Sequence, residues 1–183
     1  VKRFRETQLS REQFQRLKMA VESHGLVPMC TPFDEPSVDL IEKMGFGIIK
    51  IASCSFTDWP LLERIVKTDK PLIASTAGVG LEEIDKVVSF FQHREKEFAL
   101  MHCVGEYPTR IDSLQMNQID LLKQRYPGVA IGYSTHEEPD NMDSIQLAIA
   151  KGASIFEKHV AVETDVFKKI DYSATPEQVG RWL

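Results

Sequence analysis

Two histidines close two neighbouring apolar runs. His136 ends Gly132-Tyr133-Ser134-Thr135-His136, and His159 ends Glu157-Lys158-His159 about one β/α unit later. Side chains alternate along a strand, so Ser134 and His136 share one face of the first strand, and Glu157 and His159 share one face of the next. Two imidazoles, a hydroxyl and a carboxylate then converge, a grouping that suits a divalent metal beside an anion. Neutral imidazoles can ligate an ion and still leave positions for water and substrate, as a Lewis acid requires. With few soft ligands nearby, Mn²⁺ or Mg²⁺ fits better than structural zinc. The competing reading is a pair of buried, hydrogen-bonded structural histidines, and placement at adjacent strand ends is what favours the metal.

Lys50 lies inside Ile48-Ile49-Lys50-Ile51-Ala52-Ser53, where a covered strand should be apolar throughout. A buried lysine is costly unless paired. Its ammonium can meet a phosphate or carboxylate, with Ser53 and Ser75 adding hydroxyl donors at neighbouring strand ends. The alternative is a structural ion pair with a carboxylate such as Glu157. Tyr107-Pro108-Thr109 either brings a ring over the site or forms a proline-fixed turn. Met101-His102-Cys103 reads as a hydrogen-bonded core triplet, with Cys103 a buried small residue. His24 and His93, near helix C-termini, read as solvated.

The elements that must position these residues alternate. Six apolar runs read as parallel strands covered on both faces: 26–33, 48–53, 71–76, 98–104, 129–136 and 154–162. Between them, apolar residues recur at three and four, as in Leu61/Leu62/Ile65/Val66 and Leu81/Ile84/Val87/Val88/Phe91, which predicts helices. A further helix precedes the first strand. It opens with Ser10 and Gln13 as a capping box, carries Phe14, Leu17 and Val21, and closes at Gly25. A last helix begins at Pro176. This order allows a doubly wound sheet or most of a (β/α)8 barrel. Reactive residue types stand at nearly every strand's C-terminal end: Thr31, Lys50/Ser53, Ser75/Thr76, His102/Cys103, Ser134/His136 and Glu157/His159. A barrel gathers these ends into one mouth. No glycine-rich nucleotide fingerprint follows the first strand. The expectation is an incomplete TIM barrel of about six βα units, forming a single domain over residues 1–183.

Composition narrows the partners. The 183 residues are 43% hydrophobic with a formal net charge of −5, and no Lys/Arg block marks a nucleic-acid or anionic-membrane partner. Three widely spaced cysteines, Cys30, Cys54 and Cys103, indicate neither a disulfide framework nor a zinc knuckle and fit a reducing cytoplasm. No apolar run approaches the length of a membrane span. The chain begins at Val1 in a charged segment, which points to missing upstream sequence.

Lys50-Ile51-Ala52-Ser53, Ala74-Ser75-Thr76, His102-Cys103 with Tyr107-Pro108-Thr109, Gly132-Tyr133-Ser134-x-His136 and Glu157-Lys158-His159, in this order, resemble the catalytic barrel of the N-acetylneuraminate (sialic acid) synthase family. The ending Tyr172-Ser173-Ala174-Thr175-Pro176-Glu177-Gln178 is most similar to the branch of spore coat polysaccharide biosynthesis protein E. The resemblance implies a transferase of surface polysaccharide biosynthesis. Such an enzyme condenses phosphoenolpyruvate with an N-acylated amino sugar aldehyde, giving a 2-keto sugar acid and phosphate with a divalent metal. It implies that Lys50, Ser53, Ser75 and Ser134 bind phosphoenolpyruvate, that His136 and His159 hold the metal, that Tyr107 faces the sugar, and that Glu157 orients the reacting groups. It also implies two further N-terminal strands and, in many members, a C-terminal antifreeze-like domain, both outside this sequence. Exposed barrel ends predict self-association, most simply a homodimer, or an absent segment.

The chain departs from the family pattern at several positions. Ser53-Cys54-Ser55 stands for Ser-Gly-Glu, Thr135 for an aspartate, Gly105 for a frequent asparagine, and Lys169, near Asp171, for a sugar-contacting aspartate. These changes fall on the acceptor side. Two alternatives therefore remain: a barrel aldolase or synthase with another acceptor, such as a Schiff-base enzyme using Lys50, and a degenerate barrel that only binds a ligand.

Overall fold

The structure, a computed structural model, describes residues 5–182. Six parallel strands form one sheet: β1 Met29–Cys30, β2 Ile48–Ile51, β3 Leu72–Ser75, β4 Phe98–His102, β5 Ala130–Thr135 and β6 Ile155–Lys158. Their spatial order is their chain order. A doubly wound sheet reverses direction at a switch point, whereas a sequential order winds every crossover the same way and stacks all the helices on one face. A single contact shows how strongly this sheet curls. Lys50 on β2 and Glu157 on β6 lie 3.4 Å apart, yet four strand spacings would hold them about 19 Å apart in a flat sheet. The chain is an incomplete β/α barrel.

The helices are α1 Arg11–Ser23, α2 Glu35–Met44, α3 Trp59–Ile65, α4 Leu81–His93, α5 Asn117–Arg125, α6 Asp143–Ala150 and α7 Pro176–Gly180. Their starts follow from local chemistry. Ser10 and Gln13 form the expected capping box on α1, Thr175 and Gln178 form a second on α7, and Asp34 and Asp58 cap α2 and α3.

Strand alternation separates core from site. Ile49, Ile51, Leu72, Ala74, Leu100, Ile131 and Tyr133 face the helices and pack on Val38, Ile41, Leu62, Ile84, Val88, Ile119 and Ile145. The register aligns the opposite set, Lys50, Ile73, Ser75, Met101, Gly132, Ser134 and Glu157, on the inner face. Burying the outer set is the main stabilising term, on the order of 1.5–3 kcal/mol for each fully buried large side chain.

The two outermost strands differ from the sequence expectation. The run 26–33 contributes only two residues of strand, and 154–162 contributes four. Among the described residues, β1 and β6 each pair with one strand only; Leu26, Val27, Phe33, Val160 and Val162, which lie outside those short strands, are exposed, Val160 even though it bridges Ala174. Coverage on both faces holds for β2 to β5. In α1, too, Phe14 and Leu17 are exposed and the buried residue is Lys18, whose ammonium reaches Glu22 at 2.5 Å. No helix among the described residues is long and apolar enough to cross a membrane.

Candidate active site

All eight residues singled out by type and spacing, Lys50, Ser53, Ser75, Tyr107, Ser134, His136, Glu157 and His159, line one cavity of about 760 Å³ at the C-terminal mouth of the strands. A polar chain crosses its floor. Lys50 Nζ donates to Ser75 Oγ at 2.6 Å and lies 3.4 Å from Glu157 Oε2, which also accepts from Ser134 Oγ at 2.6 Å. Strands β2, β3, β5 and β6 are thus tied through their inward side chains. The two readings of Lys50 coexist: it is ion-paired to Glu157 and it lines the cavity. Its side chain is only 8% exposed, against 35% for Glu157. Ser53 Oγ accepts the Ala77 N–H at 3.0 Å and lies 3.5 Å from Cys103 Sγ, so that hydroxyl is held in place.

The imidazoles of His136 and His159 are 5.4 Å apart between ring centres. Burial lowers the pKa of both. The Val104 carbonyl and Glu157 partly oppose this at His136, and Glu157 does so at His159, while each ring is pushed further down by neighbouring positive charge, including Lys158. Both therefore favour the neutral form, which carries the lone pair a metal needs. His136 Nδ1 lies 3.2 Å from the Val104 carbonyl oxygen, so it carries the hydrogen and leaves Nε2 to ligate. These residues fit a divalent ion. Among the described residues no group of three or more His, Cys, Asp or Glu side chains forms a ligand cluster, so the remaining positions on an ion held by these two imidazoles would fall to water or substrate.

Aromatic rings frame the pair. The Tyr107 ring centre stands 4.3 Å from that of His136, and Tyr172 makes edge-to-face pairs with His159 at 5.1 Å and with Tyr107 at 5.4 Å between centres. Burial, then nearby Cys103, Tyr172 and Glu157, raises the Tyr107 hydroxyl pKa, keeping it a neutral donor.

Among the other candidates, Cys103 is buried as expected but also lines the cavity; His102, Thr76, His24 and His93 fall outside this inner face. His102 is buried on the helix side, its Nε2 2.8 Å from the Leu114 carbonyl oxygen, as a core triplet predicts. Thr76 Oγ1 donates to the Met101 carbonyl. His24 and His93 are exposed, each with Nδ1 near a carbonyl in its own last turn. Sequence reasoning missed the loop Ala77-Gly78-Val79-Gly80, which lines the cavity beside Thr57 and Glu83. Its signal was available: two glycines directly after a strand, Gly78 adopting φ +70. Glu137, directly after His136, was also missed.

The NeuB family model matches residues 1–180. A crystal structure of spore coat polysaccharide biosynthesis protein E from Chromobacterium violaceum superposes with a TM-score of 0.97 at 60% identity, covering 100% of this chain and 54% of that one. N-acetylneuraminate-9-phosphate synthase of Drosophila melanogaster is 31% identical over 85% of this chain and 42% of its own. N,N'-diacetyllegionaminic acid synthase of Campylobacter jejuni is 31% identical over 75% of this chain and 41% of its own. The chain thus spans less than half the length of these two curated relatives.

Proposed function

The chain belongs to the NeuB family, and from that premise we propose that its cavity binds phosphoenolpyruvate and condenses it with an N-acylated amino sugar aldehyde, giving a 2-keto sugar acid for surface polysaccharide biosynthesis. The observation that carries this reading is the convergence, in one cavity, of a lysine bonded to Ser75 and Glu157 with two imidazoles 5.4 Å apart.

Lys50 is the cation for the phosphoenolpyruvate phosphate or carboxylate, and its bond to Ser75 holds it in place before substrate arrives. Ser53, Ser75 and Ser134 add hydroxyl donors around that anion. Glu157 stays anchored by Ser134 when Lys50 turns to substrate, and from there it orients the reacting groups. Tyr107, neutral and half-exposed at the mouth, donates to the sugar. His136 and His159 would hold Mn²⁺ or Mg²⁺, which supplies Lewis acidity at the aldehyde carbonyl. In the reaction, C3 of the enol bonds to the aldehyde carbon, water adds at C2, and phosphate departs as the C2–O bond to it breaks. The products are one keto acid and one phosphate.

The test is phosphate release from phosphoenolpyruvate by the full-length protein with Mn²⁺, across a panel of amino sugar and neutral sugar aldehydes. Aldehyde-dependent release that disappears in His136→Ala is expected and names the acceptor class. Binding of phosphoenolpyruvate and metal with no release on any aldehyde would leave a ligand-binding barrel in its place.

A further inference from the structure

The residue directly after His136 is a carboxylate with almost no access to solvent. Glu137 is 1% exposed. Its carboxylate accepts hydrogen bonds from the Tyr133 hydroxyl, at 3.2 Å, and from the Ser144 hydroxyl on α6. Its backbone carbonyl accepts from Lys158 Nζ at 2.6 Å. Lys158 sits between Glu157 and His159, and its ammonium also lies 5.3 Å from the Trp182 ring centre. A buried carboxylate and a half-buried ammonium are costly unless something is gained by their placement.

Their placement is informative. The paired register of β5 and β6 ends at Thr135↔Lys158, so both histidines lie just beyond the last ladder pair. Thr135 Oγ1, buried at that pair, has no hydrogen-bond partner. The tie across the strand ends is instead the Lys158 to Glu137 bond, one residue from each imidazole. The Glu137 side chain secures its own end of that tie to β5 through Tyr133 and to α6 through Ser144.

We infer that Glu137 and Lys158 are positioning residues: their bond across the ends of β5 and β6 sets the separation of the His136 and His159 imidazoles and so the affinity for a divalent cation. The inference rests on the reading of the two histidines as a metal pair. Metal–nitrogen distances tolerate only about 0.2 Å of error. The His136 and His159 carbonyls are each held from the flank, by the Thr109 and Ala174 N–H groups, whereas the Lys158 bond joins the two strand ends to each other. Groups that orient ligands from behind typically change affinity about 10- to 100-fold when removed.

Mn²⁺ binding to the full-length protein without substrates, followed by electron paramagnetic resonance of the free ion, tests this apart from turnover. Lys158→Met should weaken binding about 10- to 100-fold, and Lys158→Arg should recover most of it. Tyr133→Phe keeps the ring, removes one of the two hydroxyls that hold Glu137, and should weaken binding by about 10-fold, the low end of that range. Urea unfolding of the metal-free variants runs alongside, because a merely structural role lowers stability without changing the affinity of the folded fraction. If the parent protein binds no Mn²⁺, or His136→Ala binds as well as the parent, the metal pair itself is wrong and the inference falls with it. If the parent binds through His136 while Lys158→Met, or Tyr133→Phe should Lys158→Met not fold, binds equally tightly, the positioning role is overturned and the metal pair stands.

Discussion

Gly132 and Met101 are register partners on β5 and β4, and a Cβ at Gly132 would meet Met101 Sδ at 2.3 Å and the Ile155 carbonyl oxygen at 2.6 Å. The methionine end can swing aside, but the carbonyl belongs to the backbone of β6. One of the two site-bearing strands must therefore move. Gly132→Ala is expected to destabilise by about 1–3 kcal/mol, as overpacking does, and to reduce aldehyde-dependent phosphate release beyond its effect on stability, because Ser134, His136, Glu157 and His159 ride on these strands. Urea unfolding and turnover of the same preparation check it. A variant as stable and active as the parent would show that the strands absorb the methyl group.

The ion pair of Lys50 and Glu157 should respond asymmetrically to mutation. Glu157→Gln leaves an 8%-exposed ammonium with neutral partners such as Ser75 and no countercharge, whereas Lys50→Met leaves a carboxylate that is 35% exposed and still bonded to Ser134. An unpaired buried charge costs about 3–5 kcal/mol, and the partial exposure of Glu157 discounts this to roughly 2 kcal/mol. Glu157→Gln should therefore be the less stable variant in urea unfolding, and Lys50→Met in that background should recover stability. Equal losses in the two single variants would contradict the assignment.

Much of this arrangement was legible before the structure, for a definite reason. Period-two alternation places Lys50, Ser75, Ser134 and Glu157 on one face once the strands are found, and a lysine within Ile49 to Ile51 has few explanations. Alternation carries one residue past each strand, to His136 and His159, and no further. Glu137 follows the last ladder pair, and the 77–80 loop reaches the cavity by a turn rather than by register. The edges were misjudged for the opposite reason. Leu26, Val27, Val160 and Val162 are as apolar as buried strand residues, and nothing local to them says that each outer strand has a neighbour on one side only.

Burial holds the His102 pKa below its ordinary 6.5, with the Leu114 carbonyl partly opposing the shift. His136 and His159 are shifted the same way. Below about pH 6.5 the unfolded chain thus binds protons that the folded chain does not, so stability is full above that pH and falls as pH drops toward the folded values. Each site contributes a slope of up to about 1.4 kcal/mol per pH unit. Unfolding free energies measured in urea between pH 5 and 7.5, without divalent metal, should rise with pH, and His102→Gln should flatten the rise. Stability that climbs as the pH is lowered through this window would refute the sign.

Tyr172 makes a prediction about substrate rather than stability. Its ring centre lies 5.1 Å from that of His159, 5.4 Å from that of Tyr107 and 6.3 Å from that of His136, on the aromatic side of the site, whereas Lys50, Ser75 and Ser134 form the polar floor. Removing the ring should loosen the groups assigned to the aldehyde and leave those assigned to phosphoenolpyruvate in place. An aromatic pair is worth about 0.5–1.5 kcal/mol beyond its area, so Tyr172→Ala should raise KM for the aldehyde about 2- to 12-fold with KM for phosphoenolpyruvate nearly constant. Steady-state kinetics with each substrate varied in turn decide it. A change confined to phosphoenolpyruvate would place the acceptor on the other side of the cavity, toward Thr57 and Glu83.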